Sequence, residues 1–210
     1  MQLYNFCMSS TSYRVRLALS LKKIDYEYIP VDLRTGKNWA ADFREINFAA
    51  GVPVLVDKDV VLTQSLAIID YLDHAYPTPR LIPSESLQRA RVLEASYAIA
   101  CDIHPIDNLR VLNYLRKDLG IDESKVTQWY AHWVASGLSA LEKLLGRYGS
   151  GPFCFGESAT LADCCLVPQV ANALRNKCDV DAYPRVMAVY SHAMADPDFK
   201  RASPELQPDF

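Results

Sequence analysis

Four hydroxyl side chains in succession, Ser9, Ser10, Thr11 and Ser12, stand immediately ahead of the run YRVRLALSLK. A helix start leaves its first N–H groups unpaired, and one Ser or Thr acting as N-cap meets that need. Four hydroxyls exceed what capping requires. Unpaired N–H groups and the positive end of the helix dipole also favour negative charge, so the run suits either a cap or an anion site. A second feature is Val52-Pro53. It fits a proline that opens a strand. With a cis peptide it instead fits a turn that offers the Val52 backbone to an extended peptide. The third is Gln64-Ser65 ahead of a helical run. Ser65 is a suitable N-cap, and its N–H and hydroxyl equally suit a carboxylate.

Other reactive side chains form weaker patterns. The six cysteines include no CxxC pair, which argues against zinc ribbons and dithiol redox chemistry. Cys101 and His104 lie three apart without a second pair, and Cys164-Cys165 are adjacent, so no metal site is expected. Cys7 lies near the hydroxyl run but has no thiol partner in a CxxC motif. Phosphate-loop, nucleophile-elbow and zinc-protease strings do not occur.

The elements that would carry these residues follow from periodicity. Gln2 to Phe6 and Tyr26 to Val31 read as strands flanking a helix over Ser12 to Lys23. A short helix is expected over Asn38 to Ile46, then a hairpin of Val54 to Val56 and Val60 to Leu62, then a helix over Ser65 to Tyr76. This βαβ, helix, ββα order suits a small mixed sheet with helices on its faces. Pro77, Pro79 and Pro83 mark a domain boundary. Beyond it strand patterns vanish. Helices are expected over Gln88 to Lys117, Glu123 to Arg147 and Leu161 to Asn176, the last with Thr160 and Asp163 resembling a capping box. The first domain is placed at residues 1–80 and the second at 86–210.

Composition narrows the class. Of 210 residues half are hydrophobic and 22% are charged, which is ample for a packed core and too apolar for a disordered chain. A net charge of -3 gives no basic footprint for nucleic acid. No stretch approaches the roughly 18 apolar residues of a membrane helix. The N-terminus MQLYNFCMSS lacks the pattern of a secretory signal, so a cytoplasmic protein with free thiols is expected.

Taken together, SSTSYRVRLALSLK, VPVL with TQSLAIIDYL, YPTPRLIP, TLADCCLVPQVANA and DAYPRV resemble the zeta class of glutathione transferases. That class includes the maleylacetoacetate and maleylpyruvate isomerases. The resemblance spans nearly the whole chain, and the VPQVANA block and PTPRL linker are its more class-specific parts. It implies a thioredoxin-like glutathione domain with a mixed four-stranded sheet, followed by an all-helical substrate domain, usually in a homodimer. It implies that Val52 and Pro53 bind the cysteinyl part of glutathione, and Gln64 and Ser65 the γ-glutamyl carboxylate. One of Ser9, Ser10 and Thr11 would donate to the sulfur.

The implied reaction is cis–trans isomerisation of an unsaturated dicarboxylic acid by reversible thiolate addition, with glutathione as cofactor. A dicarboxylate calls for cations: Arg175 aligns with the family's substrate arginine, and Arg110 is a second candidate. The same expected helix carries His104 and Asn108 at i, i+4 spacing, with Asn108 directed toward the sulfur region. Three positions depart from the class. Thr11 replaces a usual Cys, Met8 replaces a usual Arg that would contact substrate, and Gly51 precedes Val52. A conjugating or dehalogenating transferase, and a non-catalytic glutathione-binding module, are the alternatives.

Overall fold

The computed structural model describes residues 1–210. Two compact units emerge: Met1–Ile82 together with Met194–Phe210, and Pro83–Ala193. The sequence partition ran the helical domain from 86 to 210, whereas Met194–Phe210 group with the N-terminal unit.

The N-terminal unit holds a four-stranded sheet in the order β2-β1-β3-β4. Strand β1 (Gln2–Asn5) is followed by helix α1 (Ser10–Leu21) and strand β2 (Glu27–Pro30), which pairs parallel to β1. A 3₁₀ turn (Lys37–Trp39) and a short helix α2 (Ala41–Ile46) lead to strands β3 (Val54–Asp57) and β4 (Val60–Leu62). Strand β3 is antiparallel to both β1 and β4. Helix α3 (Ser65–Ala75) closes the βαβ, helix, ββα order expected from the sequence. Leu3, Val54 and Leu55 from the sheet and Leu17, Leu19, Ile68 and Leu72 from α1 and α3 are fully buried. At about 25 cal/mol per Å² of apolar surface, each contributes roughly 1.5–3 kcal/mol.

Helix α1 begins at Ser10 rather than Ser12, because Ser9 is its N-cap and Ser10 and Thr11 already carry helical backbone. Arg14 and Arg16, which alternate with the apolar residues of α1, are both buried. Lys22 also folds inward and donates to the Asp73 carboxylate at 2.8 Å and to the carbonyls of Tyr76 and Pro79. The same carboxylate accepts the N–H groups of Leu81 and Ile82. One buried ion pair thus satisfies the backbone of the proline-rich segment that ends this unit.

The second unit is helical. It holds helices α4 (Ser86–Tyr97), α5 (Leu109–Lys117), α6 (Glu123–Tyr148), α7 (Leu161–Arg175) and most of α8 (Pro184–Ala195), while α9 (Pro197–Arg201) belongs to the N-terminal unit. The single helix expected over Gln88 to Lys117 is broken. A π-helical stretch, Ala98–Ile103, succeeds α4, and a turn containing Pro105 separates it from α5. Proline has no N–H to donate and its ring clashes with the preceding turn, so the helix stops there. Ile103 sits so close to Gly137 that a Cβ on that glycine would lie 2.2 Å from its Cγ1. Thr160 and Asp163 form the expected capping box on α7. Helices α8 and α9 had no counterpart in the sequence reading. Asp196-Pro197 was the available signal for α9, an acidic N-cap followed by proline at the first helical position.

Candidate functional site

The hydroxyl run sits where β1 hands over to α1. Ser9 has extended backbone, and its Oγ accepts the Ser12 N–H at 3.2 Å. The Thr11 hydroxyl donates to the Val52 carbonyl at 2.8 Å and lies 2.9 Å from Ser9 Oγ. A hydroxyl carries one proton. Since Thr11 spends its proton on Val52, Ser9 is the donor within the Ser9–Thr11 pair. Ser10 is only 7% exposed, whereas Ser9 and Thr11 are half-buried. The four hydroxyls therefore have unequal duties: of the half-buried pair, Thr11 donates to a backbone carbonyl and Ser9 only to a neighbouring hydroxyl.

Val52-Pro53 is a cis peptide. The residues before it are braced from one side: Asn38 Nδ2 donates to the Ala50 carbonyl at 2.9 Å and Asn47 Nδ2 to the Gly51 carbonyl at 2.7 Å. Gln64, not Ser65, is the N-cap of α3, with extended backbone and no side-chain capping bond. The correction has a physical reason: Ser65 already has helical backbone, and its hydroxyl faces inward to accept from Arg14 Nη1 at 3.5 Å. Ser65 is 5% exposed, while Gln64 is exposed. No acidic side chain neutralises the first turn of α3, so its N–H groups and dipole remain available to an anion. Helix α1 thus touches both other features, through Thr11 to the Val52 turn and through Arg14 to the start of α3.

Four candidates lie in the helical unit. His104 follows the π-helical stretch and Asn108 caps α5, accepting the Arg110 N–H at 3.1 Å. Asn108 Nδ2 and His104 Nε2 are 3.1 Å apart. They meet across the Pro105 turn rather than along one helix face, which corrects the expected i, i+4 helical arrangement. Arg110 is exposed on α5, a separate helix from the one expected. Arg175 is exposed in the last turn of α7 and bonds Asn172 Oδ1. Met8, in the turn after β1, is half-buried.

Cys7 is held toward its thiol form. Burial and the charge of Asp209 push its thiol up, and its Sγ donates to the Asp209 carbonyl. The sequence reading missed Arg14 and Arg16, which lie within two turns of the hydroxyl run. Their signal was alternation with Val15, Leu17 and Leu19, which leaves α1 no polar face wide enough for solvent.

Residues 1–74 match the glutathione S-transferase N-terminal domain and residues 127–192 the glutathione S-transferase C-terminal domain. A probable maleylacetoacetate isomerase of Vibrio cholerae is 44% identical over 99% of this chain and 97% of its own length. The chain belongs to the glutathione transferases, in the zeta class. A maleylpyruvate isomerase structure, itself described as a bacterial zeta-class glutathione transferase in holo form, superposes with a TM-score of 0.97. It is 43% identical and the match covers 100% of this chain and 99% of that one. A maleylacetoacetate isomerase of Anaeromyxobacter dehalogenans holds dicarboxyethyl glutathione and citrate in its active site. It is 36% identical, with a TM-score of 0.87, over 99% of this chain and 92% of its own. As a zeta-class transferase, the chain carries the expected mixed sheet and helical C-terminal region. None of its helices is long and apolar enough to cross a membrane.

Proposed function

We propose that this zeta-class glutathione transferase is a glutathione-dependent cis–trans isomerase of an unsaturated dicarboxylic acid, maleylacetoacetate or maleylpyruvate. The observation that carries the reading is the Ser9 hydroxyl at the start of α1, whose oxygen accepts the Ser12 N–H and whose proton goes to the Thr11 hydroxyl rather than to a backbone acceptor. The chain's residues fit glutathione. The braced Val52-Pro53 turn suits the cysteinyl backbone, and Gln64 and Ser65 at the acid-free start of α3 suit a carboxylate. Dicarboxyethyl glutathione in the relative supports the same chemistry, since that group is what thiol addition across a butenedioate leaves on sulfur.

Bound glutathione supplies a sulfur nucleophile that bonds to one alkene carbon while the π pair moves to the conjugated carbonyl oxygen; the bond rotates, and the returning pair expels the thiolate. Ser9 serves this by moving its donated bond from Thr11 to the sulfur while its oxygen keeps the Ser12 N–H. Thr11 keeps its own proton on Val52, which ties the turn to α1. A free thiol titrates near 8.5, and lowering it by about two units needs roughly 2.7 kcal/mol. One charge-assisted hydrogen bond plus the helix dipole supplies that. Arg175 binds a substrate carboxylate, and Arg110 is a second cation for the other end. His104 and Asn108 hold each other across the Pro105 turn, and the resemblance to the zeta class supports a glutathione-binding role for the pair.

Met8 favours a second reading. A methionine at a usual arginine position removes a carboxylate contact, and a transferase that consumes glutathione on smaller electrophilic acids needs that contact less. Assembly as a homodimer is supported by an apolar depression in the N-terminal unit lined by Tyr4, Ile46, Val56 and Val61, beside Phe48, which is 87% exposed. A cytosolic location is supported by six cysteines that are all free thiols. Purified protein with catalytic glutathione and maleylpyruvate tests the reading. Full conversion to the trans acid with the thiol count unchanged is expected. Stoichiometric loss of thiol would replace isomerisation by conjugation, and no change in either would leave a binding module.

A further inference from the structure

The C-terminal segment returns to the turn that precedes Ser9, and nothing in the isomerisation reading uses it. Asp209 Oδ2 accepts the Cys7 N–H at 3.1 Å, its other carboxylate oxygen accepts the Tyr28 hydroxyl, and its backbone carbonyl accepts the Cys7 thiol at 3.2 Å. These partners are separated from Cys7 by 202 positions in sequence. Arg34 donates to the same Asp209 carbonyl at 3.5 Å and its guanidinium lies 5.1 Å from the Phe6 ring.

Arg16 grips the turn from the other side. It is 1% exposed, and its guanidinium donates to the carbonyls of Cys7 at 2.9 Å, Phe6 at 3.3 Å and Ala202 at 2.9 Å, and to Asn5 Oδ1 at 3.1 Å. Phe6 O in turn accepts the Ser9 N–H at 3.0 Å. The N–H, carbonyl and thiol of Cys7 are all committed to groups from α1 or from the C-terminal segment. Tyr28 is paired with Leu3 in the sheet, so Asp209 also ties the turn to β2. The segment itself is made rigid by Gln207, whose amide donates to the carbonyls of Arg201 and Ser203.

We propose that the C-terminal segment Ser203–Phe210 is a strut for the thiolate site, with Asp209 and Arg16 as positioning residues that fix the Phe6–Ser9 turn and hence the Ser9 hydroxyl. This rests on the assignment of Ser9 as the sulfur's hydrogen-bond donor. The physical need is plain: a donor displaced by about 1 Å can cost on the order of a hundredfold in rate. Asp209 does this without burying an uncompensated charge, because its carboxylate receives two donors and the Arg16 cation is shared among four neutral acceptors. Burial and the bond to Asp209 hold the Tyr28 phenol above its usual range, so it stays a donor at any physiological pH.

The test uses the full chain with Asp209→Ala, Asp209→Asn, and a deletion of Pro208–Phe210. Arg16→Gln is omitted from the main set because losing a fully buried guanidinium risks the fold. Bound glutathione is titrated by its thiolate absorbance, and kcat and KM are measured beside the melting temperature. Asp209→Ala and the deletion are expected to raise the bound thiol's titration midpoint by about half a unit to one unit and to lower kcat about five- to twentyfold, with the glutathione KM within about twofold. Asp209→Asn keeps an acceptor oxygen for Cys7 and is expected to recover most of the loss. A midpoint and kcat equal to the parent in both Asp209→Ala and the deletion would overturn the strut. So would a fall in activity that merely tracks the melting temperature while the titration midpoint stays fixed. If the parent protein itself neither binds glutathione nor ionises its thiol, the isomerase reading fails first and takes the strut with it. A normal parent with unaffected variants removes the strut alone.

Discussion

The two units treat their polar side chains in opposite ways. In the N-terminal unit Ser9, Thr11, Arg14 and Arg16 are tied to backbone or to other side chains of the same unit, and the arginines are buried. In the helical unit Arg110 and Arg175 are exposed. His104 and Asn108, both half-buried, hold each other across the Pro105 turn. Fixed groups suit a reaction step that never changes, the ionisation of one thiol. Exposed and less constrained groups suit recognition of a substrate that can vary between relatives. The contrast predicts that variants in the first unit damage chemistry and variants in the second damage substrate choice.

The largest expected effect is at Ser9. Ser9→Ala should cost about a hundredfold or more in kcat, the usual loss when one preorganised donor to a developing anion is removed. About 1 kcal/mol of stability should go with it, because the cap is lost. Steady-state kinetics alongside urea unfolding separates the two. A loss under tenfold would move the donor to Ser10 and weaken the contrast.

Next comes Arg175→Ala, expected to lower kcat/KM for the dicarboxylate by about ten- to fiftyfold through one lost charge-assisted contact. The glutathione KM and the titration of bound thiol should not move. A shift in either would mean that α7 serves the thiol rather than the acid.

Stability offers a third probe within the helical unit. Burial pushes the Asp107 carboxyl up to about 7, and neither of its oxygens has a hydrogen-bond partner. Its folded value lies above the unfolded one, so the native state binds the extra proton. The stability this gives is complete below about pH 4 and is lost as pH rises through about 7. Relative to Asp107→Asn, the parent should lose roughly 1–2 kcal/mol between pH 5 and pH 8, the full shift being discounted for partial solvent access. Urea midpoints at both pH values check this, and parallel curves would contradict it.

The smallest effect is expected at Thr11. Its hydroxyl ties the Val52 turn, so Thr11→Val should raise the glutathione KM about two- to fivefold with kcat nearly kept, one neutral hydrogen bond being worth about 1 kcal/mol. Thr11→Ser should restore binding. A kcat loss as large as that of Ser9→Ala would make Thr11 the donor.

Much of this fold was legible because the pattern was local. Strand periodicity at Gln2–Asn5 and Glu27–Pro30, helical spacing at Ile68, Ile69 and Leu72, and the Thr160–Asp163 box all reside within a few residues of one another. Ser9, Ser10 and Thr11 were visible as a group for the same reason. What sequence could not rank was their duty, which depends on a carbonyl 41 positions away. The burial of Arg14 and Arg16 was not legible, because a cation normally marks a solvated face, whereas here their acceptors are Ser65, Asn5 and backbone carbonyls brought in by tertiary structure. The break at Pro105 was written in the chain but was overridden by the strong helical period on either side. The C-terminal segment has no period at all, and its role rests on contacts that only folding creates.

Ionisation of bound glutathione at the start of α1 is the step on which the proposed chemistry depends. Difference absorbance of the thiolate, followed across pH on the binary complex, should give a midpoint about two units below that of the free thiol. A midpoint equal to that of the free thiol would show that the start of α1 does not hold an anion, and the proposed chemistry would be wrong.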